Sequence, residues 1–200
     1  MYCGNMGRWI SWWSRVNRRK EVVVFQDRRI TYGELNENIN RIANALTHRL
    51  GVKGGDRIGC LLNNSISYYE IAFACAKIGA PLVPVNVRLN EREIAYIVED
   101  CDPKVLFTED LFLPAVEAVL SHGSGLHLIN LDGPDYQDLL GEASPEEPAD
   151  QVVNPQKDVH VNRLPLCDCQ NSGDTDGQSS PAMRRAVPMR PMSRLAWTYM

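Results

Sequence analysis

The chain has 200 residues, 44% of them hydrophobic and 23% charged, with a formal net charge of −4. These are values of an ordinary globular protein with enough chain for one sizeable core. They leave no electrostatic footprint for a nucleic-acid partner, and no apolar run reaches the roughly 18 residues that suggest a membrane span. Met1 to Arg19 does not read as a secretory signal, because Arg8 and Arg15 interrupt its apolar residues. Cysteines fall at 3, 60, 75, 101, 167 and 169. Cys60 and Cys75 sit in apolar patterns and read as small buried hydrophobes, so a reducing, cytoplasmic setting is expected rather than a disulfide framework.

In chain order, Trp9, Ile10, Trp13 and Val16 fall at helical spacing. They predict a helix within residues 1–20 that docks through that face; an interfacial membrane anchor is the sharper alternative, since Trp and Arg suit that boundary. Glu21–Phe25 reads as a strand, Gln26–Arg29 as a polar turn, and Ile30-Thr31 as the return of a hairpin. Thr31 and Glu34 have capping-box spacing. Leu35, Ile39, Ile42, Ala43 and Leu46 then define a buried helical face, and Gly51 is placed to end the helix.

Ile58–Leu62 is apolar on both faces, as a strand covered by helices should be. Asn63, Asn64 or Ser65 can cap the next helix, whose stripe is Ile71, Ala72, Cys75 and Ile78 and whose end is Gly79. Pro81–Val85 carries two prolines and belongs at a sheet edge or strand end. Asn90 with Glu93 opens another helix, followed by a strand at Lys104–Thr108, a helix through Leu113, Val116, Val119 and Leu120, a strand at Leu126–Asn130 and a helical turn at Tyr136–Leu140. Alternating strands and helices predict an α/β fold with a mostly parallel sheet. Glu142–Asp150, acidic with two prolines, reads as a linker or surface loop.

Phe25-Gln-Asp-Arg-Arg-Ile-Thr-Tyr-Gly-Glu-Leu35 resembles the opening motif of AMP-binding, adenylate-forming enzymes: an apolar residue, Thr or Ser, Tyr, any residue, Glu, Leu. Ala76-Lys-Ile-Gly-Ala-Pro-Leu-Val-Pro-Val-Asn86 is similar to their second core motif, Arg88–Asp100 continues it, and Lys104–Thr108 matches the following strand. The resemblance runs from about Met6 to about His160. It implies that residues 21–160 are a partial N-terminal subdomain of the adenylate-forming ligase fold. It also implies ATP-dependent activation of a carboxylic acid as an acyl-adenylate, then thioester formation with CoA, with magnesium balancing phosphate charge. Val83–Leu89 looks like fatty or aryl acyl-CoA ligases. Asn86 stands where amino-acid-activating domains usually carry Asp, and such a domain is the alternative subtype.

Taken as residues, these motifs are caps, helix ends and strand starts, with no nucleophile, metal cage or phosphate cradle among them. Lys53 and Lys77 read as solvated charges, and His48, His122 and His127 as surface or packing residues. Lys53–Arg57 is glycine-rich but precedes a strand, which excludes a Walker-type or dinucleotide loop. The family's cradle, rich in Ser, Thr and Gly and followed by Pro-Lys-Gly, is expected after a strand near residue 160. There, Asn162–Cys169 is broken by Arg163 and Pro165. Ser172, Gly173, Thr175 and Gly177 form a degenerate echo of the cradle, opposed by Asp174 and Asp176 and lacking the lysine. Composition also changes: residues 183–200 carry Arg184, Arg185, Arg190 and Arg194 with no acid. Residues 161–200 are therefore expected to be an aberrant, disordered tail, from a frameshift or altered splice. Cys167 and Cys169 do not complete a zinc site. An inactive piece of an acyl-CoA synthetase is the expectation; a non-catalytic binding protein that keeps the subdomain, or a product without function, are the other readings.

Overall fold

Small residues at i, i+4 and i+7, with one isoleucine at i+3, decide how the first helix lies. The computed structural model describes residues 6–120 and 125–148, beginning with α1 (Gly7–Val16). Its buried residues are Gly7, Ile10, Ser11 and Ser14, whereas Trp9, Trp12, Trp13 and Val16 are 40–58% exposed. The expectation that Trp9, Ile10, Trp13 and Val16 dock together is thus corrected: Ile10 alone of these does, on a face shared with Gly7, Ser11 and Ser14. The reason is close approach. A Cβ on Gly7 would stand 2.5 Å from Lys77 Cγ and 2.8 Å from its Cα, a gap that excludes any larger side chain.

The hairpin pairs β1 (Glu21–Phe25) with β2 (Arg28–Thr31), Phe25 opposite Arg28. Its turn is Gln26-Asp27 alone, two residues rather than four. Gln26 takes φ 52°, the left-handed backbone that tight hairpin turns require. α2 (Tyr32–His48) opens with the expected box: Thr31 Oγ1 accepts from the Glu34 amide, and Glu34 accepts from the Thr31 amide at 2.9 Å. Leu35, Ile39, Ile42, Ala43 and Leu46 are buried. Gly51 is left-handed at φ 60° but lies beyond the helix end; it redirects the chain so that the Val52 amide donates to Leu46 O.

β3 (Ile58–Leu61) is buried throughout. α3 (Ile66–Ile78) is capped by Ser65 and ended by left-handed Gly79; Ala74 is buried in its stripe while Ala72 is only half-buried. β4 (Leu82–Pro84) follows, then α4 (Glu91–Cys101) behind the Asn90–Glu93 box, β5 (Val105–Thr108), a short 3-10 turn at Asp110–Phe112, and α5 (Leu113–Leu120). β6 (His127–Asn130) and α6 (Pro134–Gly141) complete the described elements. Proline at the first position of α6 suits a helix start, and the helix is longer than the turn expected at 136–140.

Among the described residues a parallel sheet has the order β4-β3-β5-β6, which puts the proline-containing β4 at an edge as expected. Alternation along each strand splits the core in two. Ile58 and Cys60 of β3, Val105 and Phe107 of β5, and Ile129 of β6 join α2, α3 and α6 on one face. Leu61, Leu106 and Leu128 join α4 and α5 on the other. The result is three layers, helix–sheet–helix. Of the two readings of the acidic segment, linker or surface loop, residues 142–148 fit the second: they are largely exposed and lie along α2, with Ala143 in the core.

Gly7→Val should push α1 off α3 and cost about 1–3 kcal/mol, the usual range for overpacking. Thermal unfolding measures the loss, and faster amide exchange confined first to residues 7–16 would locate it.

Candidate functional site

In open α/β sheets, ligands bind beyond the carboxyl ends of the strands where the strand order reverses. Here β3 leads to β4 on one side, and β5 then lies on the other side of β3, so the switch point lies between β3 and β5. Asn63 follows β3, and Glu109 follows β5. The Asn63 side-chain amide donates to Glu109 Oε2 at 2.6 Å, and the Asn63 backbone amide to the same oxygen at 3.3 Å. The rim continues beyond β6. Asn130 Nδ2 donates to Asp110 Oδ1 at 2.5 Å, and the Asp110 amide to Asp132 Oδ2 at 2.9 Å. Each strand end thus delivers an amide or a carboxylate to the same edge, and the edge is acidic.

Beside this rim an open cleft of about 700 Å³ lies between the segment after β4 and the segment after β5. Val87, Leu89 and Ile94 line one wall and Leu111, Phe112 and Pro114 the other, with Arg92 at its border. Asn86, exposed, accepts from the Arg88 amide at 3.0 Å and so shapes the turn into the cleft. Among the described residues no three His, Cys, Asp or Glu side chains converge as a metal site. Nor does the rim suit a nucleotide: Glu109, Asp110 and Asp132 set negative charge where phosphates need positive charge or free amide donors.

A second polar cluster is buried. Lys53 is exposed as expected, but the reading of Lys77 as a solvated charge is wrong: its side chain is 2% exposed. The ammonium donates to Asn36 Oδ1 (2.8 Å), Asn40 Oδ1 (2.6 Å) and Glu147 Oε1 (2.9 Å). Three donors meet three acceptors, which is what a buried lysine needs. Ser11 of α1 donates to the same Glu147 oxygen at 2.5 Å. Around this centre, Asn40 donates to Pro145 O, Asn44 to Ser144 O and Glu146 O, and Arg41 to Ala143 O. Residues 143–147 are therefore a strap tied to α2. Burial lowers the Lys77 pKa. Burial opposes ionisation of Glu147, but hydrogen bonds from Lys77 and Ser11 outweigh it and lower its pKa. Two turns earlier on the same face of α3, burial raises the Glu70 pKa, while a 2.7 Å bond from Asn38 of α2 opposes that rise.

Ser172, Gly173, Thr175 and Gly177 lie outside the described residues, as do Cys167, Cys169 and His122. His48 and His127 are exposed. From sequence Asn63 reads only as a candidate helix cap, a role that Ser65 takes, and Glu109 carries no signal, because strand order is needed to find a switch point. The Lys77 cluster did leave a signal: a lysine inside a helix whose other residues, Glu70 apart, carry no charge.

The fold is that of the N-terminal domain of adenylate-forming ligases. The chain superposes on a fatty acyl-CoA synthetase of Mycobacterium tuberculosis with a TM-score of 0.68 at 30% identity, covering 74% of this chain and 30% of that one. The N-terminal domain of FACL13 from the same organism gives 0.67 at 30% identity, covering 72% and 38%. The AMP-binding enzyme family model matches residues 10–173, and the chain belongs to that family. Relatives include a fatty acid–[acyl-carrier-protein] ligase of Streptomyces coeruleorubidus, 46% identical over 48% of this chain and 18% of its own. An indoleacetate–CoA ligase of Aromatoleum aromaticum is 30% identical over 85% of this chain and 33% of its own. The chain thus spans a third or less of these curated relatives.

Lys77→Ala should cost about 2 kcal/mol, less than the roughly 3–5 of a fully buried pair because the Glu147 side chain is 39% exposed. Glu147 has a depressed folded pKa, so its contribution is present above the unfolded value of 4.5 and is lost as pH falls through the folded one. Melting curves should therefore show a stability gap between the native chain and Glu147→Gln at pH 7 that closes below pH 4.5. A gap independent of pH would deny the Glu147–Lys77 bond its role.

Proposed function

We propose that this chain provides the N-terminal scaffold of an ATP-dependent acyl-CoA synthetase. The reaction activates a fatty or aryl carboxylic acid as its adenylate, with release of pyrophosphate, and passes the acyl group to CoA; ATP, magnesium and CoA are its cofactors. The match over residues 10–173, together with relatives that are acid–thiol ligases, carries this reading. Within the scaffold, the described residues hold the sheet and shape its carboxyl rim. The apolar walls of the cleft suit the body of an organic acid better than its carboxylate. The acidic rim supports a reading in which phosphate is bound outside the described residues and the chain by itself is inactive in adenylate formation. A cytoplasmic location fits its buried free thiols, Cys60 and Cys75.

The change in composition at residues 161–200 supports a shifted reading frame or altered splice there. Sequencing the locus and transcript from codon 150 onward tests it. A second frame that restores a Ser/Thr/Gly loop followed by Pro-Lys-Gly is the expected result, and an unbroken frame overturns it.

Activity is tested by exchange of pyrophosphate into ATP with a panel of fatty and aromatic acids. The purified chain should give no exchange above the no-acid blank. Exchange with any acid would overturn the assignment of phosphate binding elsewhere. Saturable binding of an acid without exchange would favour a binding protein built on this subdomain.

A further inference from the structure

The outward face of α1 is unlike the rest of the surface. Met6, Trp9, Trp12, Trp13 and Val16 are 40–58% exposed. At the helical pitch, Trp9, Trp12, Trp13 and Val16 share an arc of about 100°, opposite the docked Gly7, Ile10, Ser11 and Ser14. The indoles are held in place: Trp12 and Trp13 meet edge to face at 4.8 Å, and Trp13 stacks on Tyr32 at 5.8 Å. Arg8 and Arg15 fall together on one flank of this arc. Arg18, Arg19 and Lys20 follow the helix, all exposed, and residues 1–20 hold no acid. Of these cations Arg18 pairs with Glu37.

We propose that this face seats α1 on an anionic lipid surface, indoles and Val16 at the headgroup boundary and the arginines and Lys20 against lipid anions. Tryptophan prefers that boundary, and a basic flank adds attraction to acidic headgroups. Charge complementarity favours this occupant over a second copy, whose own basic flank would repel the first. The aliphatic Val16 and Met6 among the indoles favour lipid over a nucleic-acid strand. No described helix is long and apolar enough to cross a membrane, so the attachment is peripheral. It stands whether or not the ligase reading holds.

The test uses the full chain carrying Trp197→Phe, so that fluorescence reports only Trp9, Trp12 and Trp13. The chain is titrated with vesicles of phosphatidylcholine alone and of phosphatidylcholine mixed with phosphatidylserine. A blue shift and co-flotation with the mixed vesicles only, weakened at least roughly tenfold by high salt, are expected. Trp9→Ser with Trp12→Ser, and separately Arg15→Glu with Arg19→Glu, should each abolish both signals while leaving the circular dichroism unchanged. No shift, equal binding to both vesicles, or binding that survives both variants (which would assign it to the arginines at 184–194) overturns the proposal. So does a blue shift that needs only more protein, the mark of self-association, or one produced by a single-stranded oligonucleotide and not by vesicles.

Discussion

The ammonium of Lys77 has almost no contact with water, and four chain segments lie where they do because of it. Desolvating such a charge costs several kcal/mol unless every donor finds a partner. α2 supplies Asn36 and Asn40, one turn apart on one face, and the 143–147 strap supplies Glu147. Ser11 brings α1 to the same carboxylate. The helix layer on this side of the sheet is largely apolar and could slide; the lysine, with the Asn38–Glu70 bond two turns away, fixes its register. The packing agrees, since the Lys77 stem is what Gly7 lies against. One side chain is therefore both a wall for α1 and the charge that holds the strap.

Features that depend on neighbours in sequence were readable before the structure. Both capping boxes, the Gly79 helix end, the fully buried β3 and the edge position of β4 follow from local rules about caps, left-handed backbone and proline. Gly51 was half readable: its conformation was foreseen, but the helix ends at His48, before it reaches that residue. Features that depend on distant partners were not readable. Lys77 reads as a solvated charge because its three acceptors come from residues 36, 40 and 147. The strap looks like a linker or surface loop because its composition is acidic and proline-containing. Its order comes from Asn40, Arg41 and Asn44 reaching its backbone carbonyls and from Glu147 meeting Lys77 and Ser11, all of them partners far away in sequence.

The candidate site shows the same divide more sharply. Alternation of strands and helices was enough to expect a parallel sheet, but not the order β4-β3-β5-β6, and the switch point exists only in that order. Once it is known, Asn63 and Glu109 face each other at the place where such folds bind ligands. Their chemistry then limits what this part of the molecule does. An amide pinned to a carboxylate, with Asp110 and Asp132 alongside, organises loops and repels phosphate. The motifs behind the family resemblance thus build a scaffold, and the described carboxyl edge of that scaffold is not an anion site.

The two faces of α1 follow from one constraint. A helix that must approach Lys77 within van der Waals contact can present only glycine, serine and one isoleucine inward, because nothing larger fits over the lysine stem. Bulky residues on that helix then have only the outside left. Exposure alone would call for polar residues there, and the rest of the described surface largely follows that rule. Three tryptophans and a valine do not, and they are accompanied by basic residues without a single acid in the first twenty positions. Packing accounts for why the indoles are not inside, but not for why they are indoles. A water-facing helix gains nothing from them, whereas a surface of mixed apolar and anionic character rewards both the rings and the arginines at once.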